Sequence, residues 1–251
     1  MIKFFRQIRQ QMLTENKTSK YFKYAIGEIV LVVIGILIAL QINNWNENNK
    51  LEAKTQDYYR QLLEDLNKDK LFAKNIIAKF EAQREVYNDY LKKFSESKLT
   101  VKRMHQELAA LNMESFALNF NTSTIESLQN SGEIVLIPPL LRNKLIDLRR
   151  QQKKITQDEI LDNRGKTGIT ERLSMLIGAF SLEERLEHQE DIKAALNIEK
   201  NTTEIILGLE AIQDWMNFSE TKSIRLLNDL LNEIDKVEEL IQKEVEEGSI
   251  E

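Results

Sequence analysis

One stretch of the chain is far more apolar than the rest. Tyr24–Ile42 reads YAIGEIVLVVIGILIALQI, and Ile29–Leu40 contains no polar side chain. Nineteen helical residues rise roughly 28 Å at about 1.5 Å each, which is close to the hydrocarbon thickness of a bilayer. Ten Leu, Ile and Val residues favour insertion by roughly 3 to 6 kcal/mol, more than the terminal Glu28 and Gln41 oppose it. The pattern predicts one transmembrane helix over residues 24–42.

Two other interpretations of this stretch are weaker. The buried helix of a soluble protein rarely contains so long an unbroken apolar run. A cleaved signal peptide would have an apolar core of this length, but here a long leader precedes it. The residues that follow, Leu40–Trp45, also offer no small-x-small cleavage site. An uncleaved signal-anchor is therefore the favoured interpretation.

The segments on either side of the span differ in charge, which predicts its orientation. Residues 1–23 carry six Lys and Arg against Glu15, and MIKFFRQIRQQML is typical of a basic amphipathic helix on an anionic leaflet. A leader that only sets topology fits equally well. Because Lys and Arg are enriched on the cytoplasmic side, we expect 1–23 in the cytoplasm and 43–251 as the external domain. The aromatic interface anchors are Tyr21, Phe22 and Tyr24 on the inner side and Trp45 on the outer side.

The sequence around the span carries a family resemblance. GEIVLVVIGILIALQINNWNE (27–47), with FFRQIRQ and ENKTSKYFKYAIGE before it, resembles the start of an uncharacterised family of single-span proteins of Gram-negative bacteria. The resemblance covers residues 1–50 and returns around NSGEIVLIPPLLRNKLIDL (130–148), with its Leu-Arg-x-x-Leu motif. It implies an inner-membrane protein whose C-terminal domain is periplasmic. It implies no assigned activity.

Beyond the span, the apolar residues recur mostly at helical spacing. The chain has only two prolines and eight glycines, so the pattern predicts an all-α fold: an elongated antiparallel helical bundle with coiled-coil-like stripes. The first helix would cover 46–94, either continuous or broken at the polar stretch Asn67–Lys70. Thr100 would cap a short helix to about Leu111, with Val101, Met104, Leu108 and Leu111 facing inward.

The remaining elements are predicted from caps and breakers. Residues 114–122 have no helical signature, and Ile134–Ile137 is a short β-prone run before Pro138 and Pro139, which suit the first turn of the next helix. Gly165 and Gly168 would end or kink that helix. Capping boxes of the form Ser/Asn-x-x-Glu would open three helices, and a separate last helix would cover 220–247. The three boxes are Ser123–Glu126, Ser181–Glu184 (a helix to Leu196) and Asn201–Glu204.

Composition narrows the function classes. After the span, 29 Lys and Arg face 38 Asp and Glu, and an acidic domain argues against nucleic acid as a partner. The chain has no cysteine, which excludes disulfides and thiolate chemistry. No phosphate-binding loop, zinc motif or nucleophile elbow occurs. Glu184, His188 and Asp191 would share one helix face, and solvated surface explains them and His105 better than a metal. We predict no catalytic residue, no cofactor and no metal.

A few residues remain as candidates for packing or binding. Glu28 is a carboxyl inside the span, and Gly35 with Ala39 forms a small-xxx-small pattern through which the span could self-associate. The other candidates are aromatic and apolar side chains expected under a loop or in the core: Phe116, Phe120, Ile125, Leu128, Trp215 and Met216.

Three hypotheses for function follow. The first is a membrane-anchored periplasmic interaction or scaffold protein without catalysis, with the bilayer, a second copy or another membrane or periplasmic protein as partner. The second is a ligand-sensing bundle, which would need a partner to signal because its cytoplasmic part is so short. The third is an enzyme of unrecognised type. A polar pocket inside the bundle would favour sensing, and an exposed apolar patch would favour partner binding.

Overall fold

The computed structural model describes residues 18–96, 98–178 and 182–248, and among these residues every regular element is a helix and no strand occurs. The elements, in chain order, are α1 (Thr18–Glu96), α2 (Val101–Ala109), α3 (Ser123–Asn130), a 3-10 helix (Glu133–Leu136), α4 (Pro139–Ile177), α5 (Leu182–Arg185), α6 (Glu190–Leu196), a second 3-10 helix (Ile198–Asn201) and α7 (Thr202–Gly248). The all-α prediction is confirmed for this part of the chain. The leader, apart from its last residues, lies outside the described residues.

The chain divides into two compact units, Met1–Asp57 and Tyr58–Glu251. In the first unit, the described residues belong to α1, and the large apolar side chains of Ile29–Leu40 are exposed. The second unit contains the remaining elements and the core. We call its described part the helical domain.

α1 is unbroken over 79 residues, so the possible break at Asn67–Lys70 does not occur. The reason lies in Asp69, which is fully buried and accepts hydrogen bonds from the backbone N of Asn121 (2.7 Å), its Nδ2 (2.9 Å) and Gln152 Nε2 (2.7 Å). The polar stretch is therefore a buried contact of a continuous helix rather than a turn.

The short elements after α1 follow the sequence in part. Thr100 caps α2 as predicted, its side chain accepting from Arg103 N, but Val101 is exposed at the start of that helix instead of facing inward. The capping box at Ser123 is wrong. Thr122 is the N-cap of α3, and the Ser123 hydroxyl donates instead to Asp65 at 3.4 Å.

The β-prone run Ile134–Ile137 does not form a strand. Gly132, with φ +76°, ends the α3 turn and leads into the 3-10 helix Glu133–Leu136, and only Ile137 is extended before Pro138. A strand needs a neighbour to pair with, and the described chain offers none here. Pro139 opens α4 in its first turn as predicted.

The long helices α4 and α7 pack along each other and are less interrupted than the sequence suggests. Gly165 and Gly168 do not end α4, which continues to Ile177. A Cβ at Gly165 would lie 2.4 Å from Trp215 Cζ2, so this glycine makes room for the indole. The two helices predicted from Asn201 and from Glu220 are one helix, α7, of 47 residues.

The prediction of a single helix over Ser181–Leu196 is wrong for the residues that the structure describes there, 182–196. Ser181 and Phe180 lie outside the described residues, α5 stops at Arg185, and α6 begins at Glu190. Leu186 is the buried residue in this stretch, and the chain turns around it. The surrounding EERLEHQED offers too narrow an apolar stripe to hold a longer helix against the core.

The core consists of two hydrophobic clusters. The first cluster joins α1, α3, α4 and the C-terminal half of α7: Tyr59, Leu62, Leu66, Ala73, Ile76, Ile77, Phe80, Leu118, Ile125, Leu128, Ile137, Leu141, Leu145, Leu148, Ile155, Leu227, Leu230, Ile234, Val237 and Ile241. The second cluster joins α1, α2, α4 and the N-terminal half of α7: Tyr87, Tyr90, Leu108, Leu173, Ile205, Ile206, Leu209, Ile212 and Met216.

We expect Leu141→Ala to destabilise the helical domain by about 2 to 5 kcal/mol, because Leu141 is 1% exposed in the first cluster. The neighbouring Leu140 is 64% exposed, so Leu140→Ala is the matched control and should change stability by less than about 0.5 kcal/mol. Urea unfolding of both variants checks this. Equal losses for the two would contradict the burial pattern.

Candidate functional site

A layer of buried polar residues separates the two hydrophobic clusters. On α1, Arg84 lies between Phe80 of the first cluster and Tyr87 of the second. Glu159 and Lys166 occupy the equivalent stretch of α4, and Ser219, Glu220 and Ser223 that of α7. Three helices thus interrupt their apolar stripes at the same level of the domain. We call Arg84, Glu159, Lys166, Glu220 and Ser223 the polar layer.

The residues of the polar layer partner one another across helices. Arg84 Nε lies 2.5 Å from Glu220 Oε2, and the Ser223 hydroxyl donates to Glu159 Oε2 at 2.9 Å. The Arg84 guanidinium carbon also lies 5.4 Å from the centre of the Tyr87 ring. The nitrogens Nη1 and Nη2 of Arg84 are buried without a hydrogen-bond partner, so Glu220 is the acidic residue that faces this buried guanidinium.

Burial governs the protonation of the layer. It raises the pKa of Glu220 to about 7, although the neighbouring Arg84 opposes the shift. Burial also raises the pKa of Glu159, against the hydrogen bond from Ser223, and lowers the pKa of Lys166, against the attraction of Glu220 and Glu159. Burial therefore works against the charged forms of Glu159, Lys166 and Glu220.

A short non-helical stretch, Asn112–Phe116, covers one side of the polar layer, and we call it the covering segment. Four side chains from three helices donate to its backbone carbonyls. Lys166 Nζ reaches Met113 O at 3.1 Å. Three longer bonds of 3.4 Å complete the set: Gln83 Nε2 to Glu114 O, Asn163 Nδ2 to Phe116 O and Gln213 Nε2 to Asn112 O. The segment has no secondary structure of its own, so these donors hold it in place.

Two spaces lie beside the covering segment. Beneath it lies a void of about 10 Å³, which has room for about one water molecule. Its lining includes Glu159, Lys166 and Glu220. On its other side, a cleft of about 320 Å³ lies between α1, the segment and α7. The cleft is lined by Lys79, Ala82, Gln83, Val86, Leu111, Asn112, Glu114, Phe116 and Gln213.

Trp215 fixes α7 to α4 next to the layer. Its Nε1 donates to Asp162 O at 2.9 Å, the ring lies over Gly165, and Lys222 pairs with the Asp162 carboxylate. The indole stays 39% exposed, so the expectation that Trp215 fills the core is wrong, whereas Met216 is buried as predicted. The indole packs across the outside of the helix pair because Gly165 leaves a shallow groove there.

The structure places the residues predicted from the span on α1. Phe22, Gly35, Ala39 and Trp45 are exposed and Glu28 is partly covered. A methyl group added at Gly35 would meet nothing within 4 Å, so that face is open. Tyr21 and Tyr24 belong to the α1 backbone, and their side chains lie outside the described part. From Ala25 onward this helix is long and apolar enough to cross a membrane, and none of its apolar window is buried.

The structure also shows where the remaining candidate residues for packing and metal binding lie. Phe116, Phe120, Ile125 and Leu128 pack on the first cluster, as expected. Glu184, His188 and Asp191 are exposed, but they do not share a helix, because α5 ends before His188 and α6 begins after it. Within the described ranges, no group of three His, Cys, Asp or Glu residues could hold a metal ion.

Sequence reasoning missed the polar layer. A signal was present in the gaps between apolar residues, from Phe80 to Tyr87 on α1 and from Met216 to Leu227 on α7. The second gap was interpreted as a boundary between helices. Only the packing of α1, α4 and α7 shows that these gaps meet.

We expect the free energy of unfolding of the helical domain to fall as the pH rises and the Glu220 carboxyl loses its proton. A carboxyl whose pKa rises from 4.5 to about 7 on folding stabilises the fold fully below about pH 4.5, and that contribution disappears above about pH 7. Urea unfolding at about pH 5 and about pH 8 should differ by up to about 3 kcal/mol through Glu220 alone.

Two variants isolate this contribution. Glu220→Gln should flatten the pH dependence, whereas Glu239→Gln, an exposed glutamate on the same helix, should leave it unchanged. A slope that persists in Glu220→Gln would show that Glu220 does not titrate in this range.

Comparison with known proteins places the chain in a family. The model of a family of unknown function, DUF6090, matches residues 28–168, which is more than half of the chain. The match includes Arg84, Glu159 and Lys166 but ends before α7, which supplies Glu220 and Ser223. No curated protein and no solved structure matches the chain. The protein belongs to the DUF6090 family.

Proposed function

We propose that this protein is a membrane-anchored, non-catalytic interaction protein. The span at 24–42 holds it in a bacterial inner membrane with the N-terminus in the cytoplasm, and the helical domain meets its partner in the periplasm. The single observation that carries the proposal is the exposure of the apolar run on α1. Its ten Leu, Ile and Val side chains between Ile29 and Leu40 are 47–63% exposed.

A lipid environment accounts for this exposure. In water, ten exposed aliphatic side chains in one helix would be an aggregation hazard, because a soluble monomer rarely exposes so large a contiguous apolar patch. In a bilayer the same side chains contribute roughly 3 to 6 kcal/mol to insertion. A helix that served as the core of a soluble domain would bury this window, and here none of it is buried.

The surface of the helical domain supports binding to a partner. Large apolar side chains are exposed on α4 and α7, among them Leu161, Met175, Leu207 and Phe218. Phe218 borders an open groove with Trp215, Lys222 and Arg225, so aromatic and basic groups lie side by side there. Aromatic residues and Arg are the types that contribute most to protein interfaces.

Ligand sensing is the second candidate function, and the cleft beside the covering segment favours it. This feature combines an apolar wall with several polar groups, which is the usual make-up of a small-molecule site. A sensor of this kind would signal through a partner in the membrane.

Cysteine labelling tests the anchor. Because the chain has no cysteine, single introduced cysteines report position without background. We expect a membrane-impermeant maleimide to label Asn48→Cys in intact spheroplasts and to label Ser19→Cys only after lysis. The protein should also stay in the membrane fraction after carbonate extraction. Labelling of both sites before lysis, or release by carbonate, would contradict the anchor.

Crosslinking in native membranes tests the partner. We expect purification to recover a second protein crosslinked to the wild type. Phe218→Ser should reduce this adduct at least about fivefold, since an aromatic anchor at an interface contributes about 1 kcal/mol or more. Leu140→Ser, on another exposed apolar residue, should leave the adduct unchanged.

The same experiment separates a second copy from a different partner. A homodimer adduct that Gly35→Leu abolishes, and that Val33→Leu on the opposite helix face preserves, would assign self-association to the span. Recovery of nothing but the protein itself would contradict the hetero-partner form of the proposal.

A further inference from the structure

The cleft beside the covering segment is lined by both polar and apolar side chains. Gln83 from α1 and Gln213 from α7 place carboxamides along it. Val86, Leu111 and Phe116 supply its apolar surface. With about 320 Å³, the cleft lies at the lower end of the range for small-molecule sites, so it suits a compact ligand.

Gln83 leaves a hydrogen-bonding requirement unmet. Its Nε2 donates to Glu114 O at 3.4 Å, whereas its Oε1 is buried and has no hydrogen-bond partner. A buried acceptor without a donor is rare in native proteins and calls for an explanation. Gln83 lines the cleft, so turning its carboxamide toward the N–H group of a ligand would supply the missing donor.

The two charged residues of the cleft carry opposite signs. Lys79 lies on α1, with Nζ 4.8 Å from the centre of the Phe116 ring, and Glu114 belongs to the covering segment. Neither forms a salt bridge with a described side chain. The lining of the cleft thus includes a lysine and a glutamate beside its apolar residues.

We propose that this cleft binds a small zwitterion with an apolar side chain, either a free amino acid or a dipeptide. Lys79 pairs with the ligand carboxylate, Glu114 pairs with its ammonium group, and Gln83 Oε1 accepts from an N–H. Val86, Leu111 and Phe116 cover the apolar side chain. The inference rests on the second proposed function, ligand sensing, and names its ligand class.

Binding would act on the covering segment. Three of the four side-chain bonds that hold this segment are long, at 3.4 Å, and two of their donors, Gln83 and Gln213, line the cleft. A ligand that engages Glu114 and Phe116 therefore bears on the same backbone that Lys166 of the polar layer holds from the other side. Occupation of the cleft should accordingly stabilise the segment against exchange of its amide protons.

Calorimetric titration of the full-length protein in detergent tests the ligand class. The probes are the amino acids L-leucine and L-phenylalanine and the dipeptide L-leucyl-L-leucine. Tighter binding of either amino acid would identify the ligand as a free amino acid, and tighter binding of the dipeptide would identify it as a peptide. We expect at least one probe to bind with a Kd below about 1 mM. N-acetyl-L-phenylalanine and L-phenylalaninamide, each lacking one charge, should bind at least about tenfold more weakly than their zwitterionic parent, in line with the loss of a charge-assisted bond.

Three variants assign the site. Lys79→Gln should weaken the zwitterion about tenfold and leave the amide unchanged, whereas Lys74→Gln, an exposed lysine on the same helix, should have no effect. Gln83→Met should weaken every probe, and Val86→Trp should block the cleft. Cooperative urea unfolding of each variant confirms that it is folded.

The proposal fails if no probe binds up to about 10 mM, or if Lys79→Gln, Gln83→Met or Val86→Trp leaves binding unchanged. The cysteine-labelling pattern is independent of this titration. A negative titration with the labelling pattern intact overturns the ligand class and leaves the anchor standing.

Discussion

Burial of the Arg84 guanidinium is the constraint on which the helical domain depends. An arginine stays protonated in a protein, so a buried one needs a carboxylate and cannot adapt by losing its proton. Glu220 lies 2.5 Å away on α7, 4% exposed. The pair fixes the register of α1 against α7, because sliding either helix by one turn would place a charge inside a hydrophobic cluster.

The polar layer also explains why the covering segment is needed. Lys166 is buried with its amine close to Glu159 and Glu220, and it completes its hydrogen bonding on the backbone of Met113. Without that carbonyl the lysine would be desolvated and under-bonded. The covering segment therefore supplies a hydrogen-bond acceptor to a buried lysine and also forms one wall of the cleft. This shared position links a solvent-facing site to the interior of the domain.

The apolar run of α1 and the helical domain follow different physical rules. The run on α1 exposes ten aliphatic side chains, none of which is buried against another described residue, and it is long and apolar enough to cross a membrane. The helical domain follows the ordinary rule that apolar stripes meet in a core, with the polar layer as its exception. α1 contributes to both units because no helix breaker occurs between Gly35 and Glu96.

The sequence alone was sufficient for features that depend on local or one-dimensional patterns. Five predictions were confirmed because each follows from neighbouring residues: the helical state of the apolar run, the all-α class of the described residues, the Thr100 cap, the non-helical 114–122 stretch and Pro139 at the start of α4. Features that depend on residues distant in the chain were not predicted correctly. Asp69 was interpreted as part of a helix break, but Asn121 and Gln152 bind it within a continuous helix. Gly165 was interpreted as the end or a kink of a helix, but it makes room for the indole of Trp215. Glu220 was interpreted as the start of a helix, but it pairs with Arg84 in the middle of one. A polar or small residue has the same local signature in a turn and in a buried contact, and only the tertiary structure supplies the partner that distinguishes the two.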